Sequence, residues 1–224
     1  VGYIGGSGER GIPWFDHVAA SPDGEWIYFV QAADSARFKR AHGVYRLKWN
    51  DAKLGDPFVG QKEAGSDATH FDDPQGIATD KGGNLYVCDR GNNRVVVFSS
   101  EGKRLGQFAA DKPEQIAVHL KSGEVYILSR PKQAKMLPDA STVIRKFAAW
   151  TADGAKEKLA LPFKNVELMA LDTSSEPATL WVATQAGWNR PMDVAPLVDR
   201  GEKIEAGARI NNLDGLECPA NLAA

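Results

Sequence analysis

The chain of 224 residues carries 27 Lys and Arg against 29 Asp and Glu, a formal net charge of −2, with 43 % hydrophobic and 25 % charged residues. That balance excludes a disordered or fibrous chain and speaks against a protein held to nucleic acid by bulk charge. No window reaches the roughly 20 apolar residues of a membrane helix. The cysteines, Cys88 and Cys218, are too few for a disulfide framework and have no metal-ligand spacing.

Taken in chain order, the sequence repeats itself. Residues 1–12, opening Val1-Gly2-Tyr3-Ile4-Gly5-Gly6, fit an outer strand closing a preceding unit. Phe15-Asp16-His17-Val18-Ala19-Ala20 then leads through Ser-Pro-Asp-Gly into Trp26-Ile27-Tyr28-Phe29-Val30. The same phrase returns as Pro74-Gln75-Gly76-Ile77-Ala78 with Leu85-Tyr86-Val87-Cys88-Asp89, and as Pro113-Glu114-Gln115-Ile116-Ala117 with Val125-Tyr126-Ile127-Leu128. A weaker copy is Val166-Glu167-Leu168-Met169-Ala170 with Leu180-Trp181-Val182-Ala183, and another opens at Cys218-Pro219-Ala220. Between the copies falls a second phrase, a strand with a tight Asp- or Gly-containing turn, as in Val97-Phe98-Ser99-Ser100-Glu101-Gly102. Each unit reads as four short strands, a to d, β-branched or aromatic and bounded by Gly, Pro, Asp and Ser. A period of about 40–50 residues with four strands per unit predicts an all-β propeller of four-stranded antiparallel blades. The blades are expected at 13–70, 71–110, 111–163 and 164–213, with 214–224 starting a fifth. That leaves about four complete blades with partial first and last ones, an incomplete propeller that a longer chain or an assembly would close, because open rings leave strand edges exposed.

Over residues 71–110, Pro74-Gln75-Gly76-Ile77-Ala78-x-Asp80, Gly83-Asn84-Leu85-Tyr86-Val87-x-Asp89-x-x-Asn92-Asn93-Arg94-Val95-x-Val97-Phe98 resembles an NHL repeat nearly position for position. The resemblance implies a β-propeller, commonly six-bladed in that family. Asp89, Asn93 and Arg94 sit at the b–c corner, where a carboxylate, an amide and a guanidinium satisfy turn amides and one another. They read as architecture.

The a–b and c–d turns are short, whereas the b–c loops at Gln31–His42, Arg130–Ser141 and Gln185–Arg190 and the d–a connection Gly60–Asp73 are long. Repeat proteins place insertions on the binding face, so that face is the expected docking surface. Its candidates are Arg37, Phe38, Arg40, His42, Arg90, Arg130, Trp188 and Arg190, a mix of cations and aromatics that suits a protein or polar-ligand partner. The first position of the innermost strand, at the mouth of the central channel, holds Asp16, Gln75, Glu114 and Glu167 in register. Asp16, Glu114 and Glu167 could hold a Ca²⁺ ion, which takes carboxylate and amide oxygens; the alternative is a wet channel lined with polar side chains. His17, His70 and His119 fall at three different register positions, which argues against the three-His zinc site of some NHL-like lyases.

The expected function is a rigid binding or scaffold module. The alternative is an enzyme with a central-channel metal, a lactonase, esterase or lyase in the manner of related propellers. RNA binding through the basic loops is a weaker alternative, against which the net charge speaks. The chain has no initiator Met, which fits signal removal as well as truncation, and an extracytoplasmic location, periplasmic or secreted, is slightly favoured.

Overall fold

In the computed structural model, residues 17–30, 33–34, 39–48, 51, 55–130, 141–174, 176–185 and 192–208 are described. The expected outer strand at 1–12 and the start of a fifth blade at 214–224 lie outside these residues. All regular structure among the described residues is β.

Four blade sheets and one two-stranded hairpin make up the regular structure of the described residues. Blade I is β1 (His17–Ala20), β2 (Trp26–Val30) and β5 (Val44–Lys48), with the two-residue strands β3 (Ala33–Asp34) and β4 (Lys39–Arg40) forming a hairpin between β2 and β5. Blade II is β6 (Pro74–Thr79), β7 (Leu85–Asp89), β8 (Arg94–Phe98) and β9 (Arg104–Ala109). Blade III is β10 (Pro113–Val118), β11 (Val125–Ser129), β12 (Ser141–Phe147) and β13 (Glu157–Lys164). Blade IV is β14 (Val166–Asp172), β15 (Thr179–Gln185), β16 (Met192–Asp199) and β17 (Ile204–Ala206). All neighbours within a blade pair antiparallel in sequence order. In blade I a single antiparallel bridge, Val44 to Val59, stands where the other blades have a fourth strand.

The period-2 geometry of strands explains the stacking. In β7 and β11 all five residues are buried, because both faces of each sheet are covered by neighbouring blades. Tyr28 and Val30 pack toward blade II, Tyr86 and Cys88 toward blade III, and Tyr126 and Leu128 toward blade IV. The outer strands β9 and β13 alternate mostly half-buried and exposed positions instead. The repeated phrase has a structural meaning: Ala19, Ala78, Ala117 and Ala170 of the inner strands each sit opposite an aromatic of the second strand, Tyr28, Tyr86, Tyr126 and Trp181. Small opposite large fills the wedge between blades.

The inner strands β1, β6, β10 and β14 lie side by side in that order. Gly76 permits the closest approach: a Cβ there would stand 2.8 Å from the Gln115 Cα and the Glu114 carbonyl oxygen and 2.9 Å from the Ile116 nitrogen. Cys88 is fully buried in the core between blades II and III, and burial pushes its thiol well up, so it packs as a small hydrophobe.

Candidate functional site

Three of the inner strands begin in the same unusual way. The residue before each, Asp73 (φ 51°), Lys112 (φ 40°) and Asn165 (φ 55°), is left-handed. The next strand residues are Pro74-Gln75, Pro113-Glu114 and Val166-Glu167, so an amide or a carboxylate starts each inner strand on the side of the b–c loops. The second strands of blades II and III end on that side with Asp89 and Ser129, each followed by an arginine, Arg90 and Arg130.

These groups form one ladder across three blades. Arg90 Nη1 lies 3.1 Å from Asp73 Oδ2, and its Nε lies 3.8 Å from Glu114 Oε2. Arg90 Nη2 donates to the Arg130 carbonyl oxygen at 2.8 Å. Arg130 Nη1 lies 3.5 Å from Glu114 Oε1 and 3.0 Å from Glu167 Oε2, and its Nη2 donates to the carbonyl oxygens of Val166 at 2.6 Å and Glu167 at 3.2 Å. The order Asp73, Arg90, Glu114, Arg130, Glu167 alternates in sign and leaves one carboxylate in excess. Glutamines extend it: Gln75 Nε2 donates to Asp73 Oδ1 at 2.9 Å. Gln115 donates to the Glu167 carbonyl at 2.8 Å and accepts from the Met169 N–H at 2.9 Å, stitching blade III to blade IV. The Gln75 Oε1 is buried without a hydrogen-bond partner, as is the Ser129 Oγ.

Arg90 and Arg130, expected on exposed loops, are 6 % and 2 % exposed. The acids at the inner-strand starts draw both guanidiniums inward, where two-pronged pairing offsets their desolvation. Gln75 and Glu114 are buried as well, and the Glu167 side chain is about one-third exposed. A Ca²⁺ ion on Glu114 and Glu167 would compete with Arg130, which already pairs with both. Asp16, the third ligand expected, lies outside the described residues, as do Arg37, Phe38, Trp188 and Arg190. Among the described residues no group of three or more His, Cys, Asp and Glu is arranged to hold a metal ion. Arg40 belongs to the β3–β4 hairpin, its backbone opposite Ala33. His42 Nδ1 accepts the Asp73 N–H at 3.1 Å and lies 3.9 Å from the half-exposed Asp72 carboxylate. From sequence Asp73 reads as one of the acids of the d–a connection and not as a site residue; its signal is an acid directly before Pro74, in register with an arginine that follows the second strand.

The corner Asp89, Asn93 and Arg94 buttresses this face from behind. Buried Asp89 accepts from the Asp72 N–H at 2.7 Å, from Asn92 Nδ2 at 2.9 and 3.0 Å and from Arg94 Nε at 2.6 Å. Arg94 continues to the carbonyls of Ser66, Asp67 and His70, pinning the long connection from blade I. Asn93 is left-handed at φ 54°, and its side-chain oxygen accepts the Lys112 N–H at 3.1 Å.

The comparisons agree with the fold. The chain is similar to Chaetomium thermophilum Sqt1 bound to the N-terminus of the ribosomal protein L10 (9 % identity, TM-score 0.52, covering 83 % of this chain and 45 % of that one). It is also similar to the Dos1 propeller (10 %, 0.53, 89 % and 50 %) and to a functionally unknown protein from Desulfotomaculum acetoxidans (13 %, 0.51, 88 % and 72 %). The chain thus spans about half the length of Sqt1 and of Dos1. Comparison with curated proteins finds no match. Within the chain, residues 71–98 of blade II match the family model described as NHL repeat.

Proposed function

We propose that the chain is a rigid binding module whose partner, a protein segment or a polar ligand, docks on the face of the b–c and d–a loops. The carrying observation is the interlocked ladder under that face. Its guanidiniums and carboxylates are mutually paired and, Glu167 apart, largely buried, so it supplies a preorganised floor, and preorganisation lowers the entropic cost of binding. One carboxylate in excess, the half-exposed Asp72 beside it and the exposed Glu63 and Asp67 make the described part of this rim acidic. A basic protein segment therefore fits it better than an acidic one. Sqt1, similar in fold, is bound to the N-terminus of another protein, which makes a peptide the first class of partner to try. The channel-metal enzyme has less support, because Arg130 already pairs with both Glu114 and Glu167.

Fluorescence anisotropy with labelled Lys/Arg-rich and Asp/Glu-rich decapeptides tests this reading. The basic peptides should bind more tightly, and more so at low salt. Asp72→Asn should weaken them about two- to fivefold, the contribution of one exposed charge. Ala at Phe38 and Trp188 should abolish binding with the melting temperature unchanged. Equal affinity for both peptide charges, or a stoichiometric metal on elemental analysis of the purified protein, would sink the reading.

A further inference from the structure

On the opposite face, between blades III and IV, lies a cleft of about 360 Å³ that the ladder does not touch. It is walled by the β10–β11 turn with His119, Lys121 and Glu124, by the β14–β15 turn with Glu176 and Ala178, and by Asp199 at the end of β16. At its base Lys146 is 1 % exposed. Its Nζ lies 2.7 Å from Asp199 Oδ2 and 3.2 Å from Glu124 Oε1, and it donates to the Gly201 carbonyl at 2.9 Å. The Tyr126 hydroxyl donates to the same Asp199 oxygen. Lys158 pairs with Glu124 at 2.8 Å, and Lys121 pairs with Glu176 at 3.0 Å.

Each full charge of this cleft therefore has its opposite within 3.2 Å, three lysines against three carboxylates. Neither an anion nor a cation finds an open counter-charge there. One donor of a buried residue is left over. His119 is 5 % exposed, and its Nδ1 accepts the N–H groups of Lys121 at 3.2 Å and Ser122 at 3.1 Å, so the ring proton sits on Nε2. That Nε2–H has no partner among the described residues. Pro177 and Ala178 add an apolar wall, and the paired carboxylates keep lone pairs that can accept hydroxyl hydrogens.

We propose that this cleft is a second ligand site, for an uncharged polyhydroxylated molecule of the carbohydrate class. His119 Nε2–H donates to one hydroxyl, Glu124 and Glu176 accept from others, and Pro177 meets the apolar face of the ring. The volume lies within the roughly 300–1,000 Å³ of small-molecule sites. The site is independent of the loop face, so it stands or falls without the docking reading.

The test is a backbone-amide NMR titration of the protein with D-glucose, N-acetyl-D-glucosamine and maltotriose, with inorganic phosphate and methylammonium as charged controls. At least one sugar should give saturable shifts of residues 119–124 and 176–178 at millimolar concentrations, and neither control should. His119→Asn keeps an oxygen that can accept a turn N–H, as Asp80 Oδ1 accepts the Asn84 N–H at the equivalent turn of blade II, and removes the Nε2–H. It should fold with an unchanged melting temperature and weaken the sugar about three- to tenfold, the loss of one hydrogen bond. If that variant melts early, Glu176→Gln, altering a side chain that is 58 % exposed, replaces it; freeing Lys121 should weaken the sugar and admit phosphate. Absence of saturable shifts with every sugar, shifts confined to other residues, or sugar affinity unchanged in the folded variant overturns the proposal.

Discussion

The guanidinium of Arg130 is the joint of the ladder, and removing it gives the sharpest test of the site. Arg130→Met keeps much of the aliphatic volume and removes the guanidinium that lies 3.5 Å from Glu114, only 3 % exposed, while Arg90 Nε stays at 3.8 Å. It also strips a hydrogen-bond donor from the Val166 and Glu167 carbonyls at the start of blade IV. Breaking a buried pair by removing one partner costs about 3–5 kcal/mol, since the other charge stays buried without full compensation. For a chain of this size, about 2–4 °C of melting temperature follows each kcal/mol, so a loss of about 6–20 °C is expected at pH 7. Thermal melts followed by circular dichroism measure it. The double variant Arg130→Met with Glu114→Gln should recover much of the loss, because the stranded charge is gone; a coupling above about 1 kcal/mol is the signature. A single variant melting within about 2 °C of the parent, or a double variant no better than the single, would refute the argument that these charges depend on each other.

Two further outcomes follow from other contacts. Gly76→Ala drives a Cβ against the backbone of β10, which cannot rotate away, so a loss of about 1–3 kcal/mol is expected in urea unfolding, whereas Gly55→Ala, with nothing within 4 Å of its Cβ, should stay within about 0.5 kcal/mol. Equal effects would show that the inner strands do not approach as closely as described. Lys146→Met should cost about 3–5 kcal/mol at pH 7 and progressively less in acid. Burial raises the Asp199 and Glu124 carboxyls, but the bonds to Asp199 from Lys146, Tyr126 and Gly201, and to Glu124 from Lys158 and Lys146, outweigh it and hold both below 3.8 and 4.5. The folded state then binds fewer protons than the unfolded one, so this stabilisation is complete above about pH 4.5 and is lost as the pH falls below 3.8. The gap in melting temperature between parent and variant should narrow below pH 4; a constant gap from pH 3 to 7 would contradict the assignment.

The strands and their order were legible because the repeat writes them twice over, as β-branched and aromatic runs and as turn residues at fixed offsets. Ala78 and Tyr86, quoted from the sequence only as recurring letters, proved to be a cross-strand pair repeated in each blade. The ladder was only half legible. Glu114 and Glu167 were found by register, but Arg90 and Arg130 read as solvated loop cations, because sequence distance hides that a residue just past one strand lies beside the first residue of another. Pairing buries an arginine that propensity alone would place in water. Lys146 escaped notice for the opposite reason. It sits inside a strand of alternating pattern, where a long cation passes for a surface residue until its partners on Glu124 and Asp199 are seen. The β3–β4 hairpin and the single bridge at Val59 left no periodic signal of comparable length.

Lys146 is one of a set, and the set explains why the two faces differ. Opposite the repeated tyrosine, the third strand presents Arg46 in blade I, Val97 in blade II and Lys146 in blade III. Arg46 stacks at 4.1 Å on Trp26 and 3.7 Å on Phe58 and donates to the Ser100 carbonyl in the β8–β9 turn of the next blade. Lys146 likewise donates to Gly201 in the β16–β17 turn of the next blade. A cation at this position thus reaches across the junction, and a cleft lies at each of these two junctions, about 390 Å³ between blades I and II and 360 Å³ between III and IV. Where Val97 stands instead, that position offers no polar group, and Trp150 and Ala155 of blade III join the apolar cluster around Tyr86. On the turn face this strand position is thus a cation at two junctions and an apolar residue at the third. The loop face is governed separately, by the residues that begin the first strand and follow the second. Because the two sets share no residue, the chemistry of either face can change without disturbing the other.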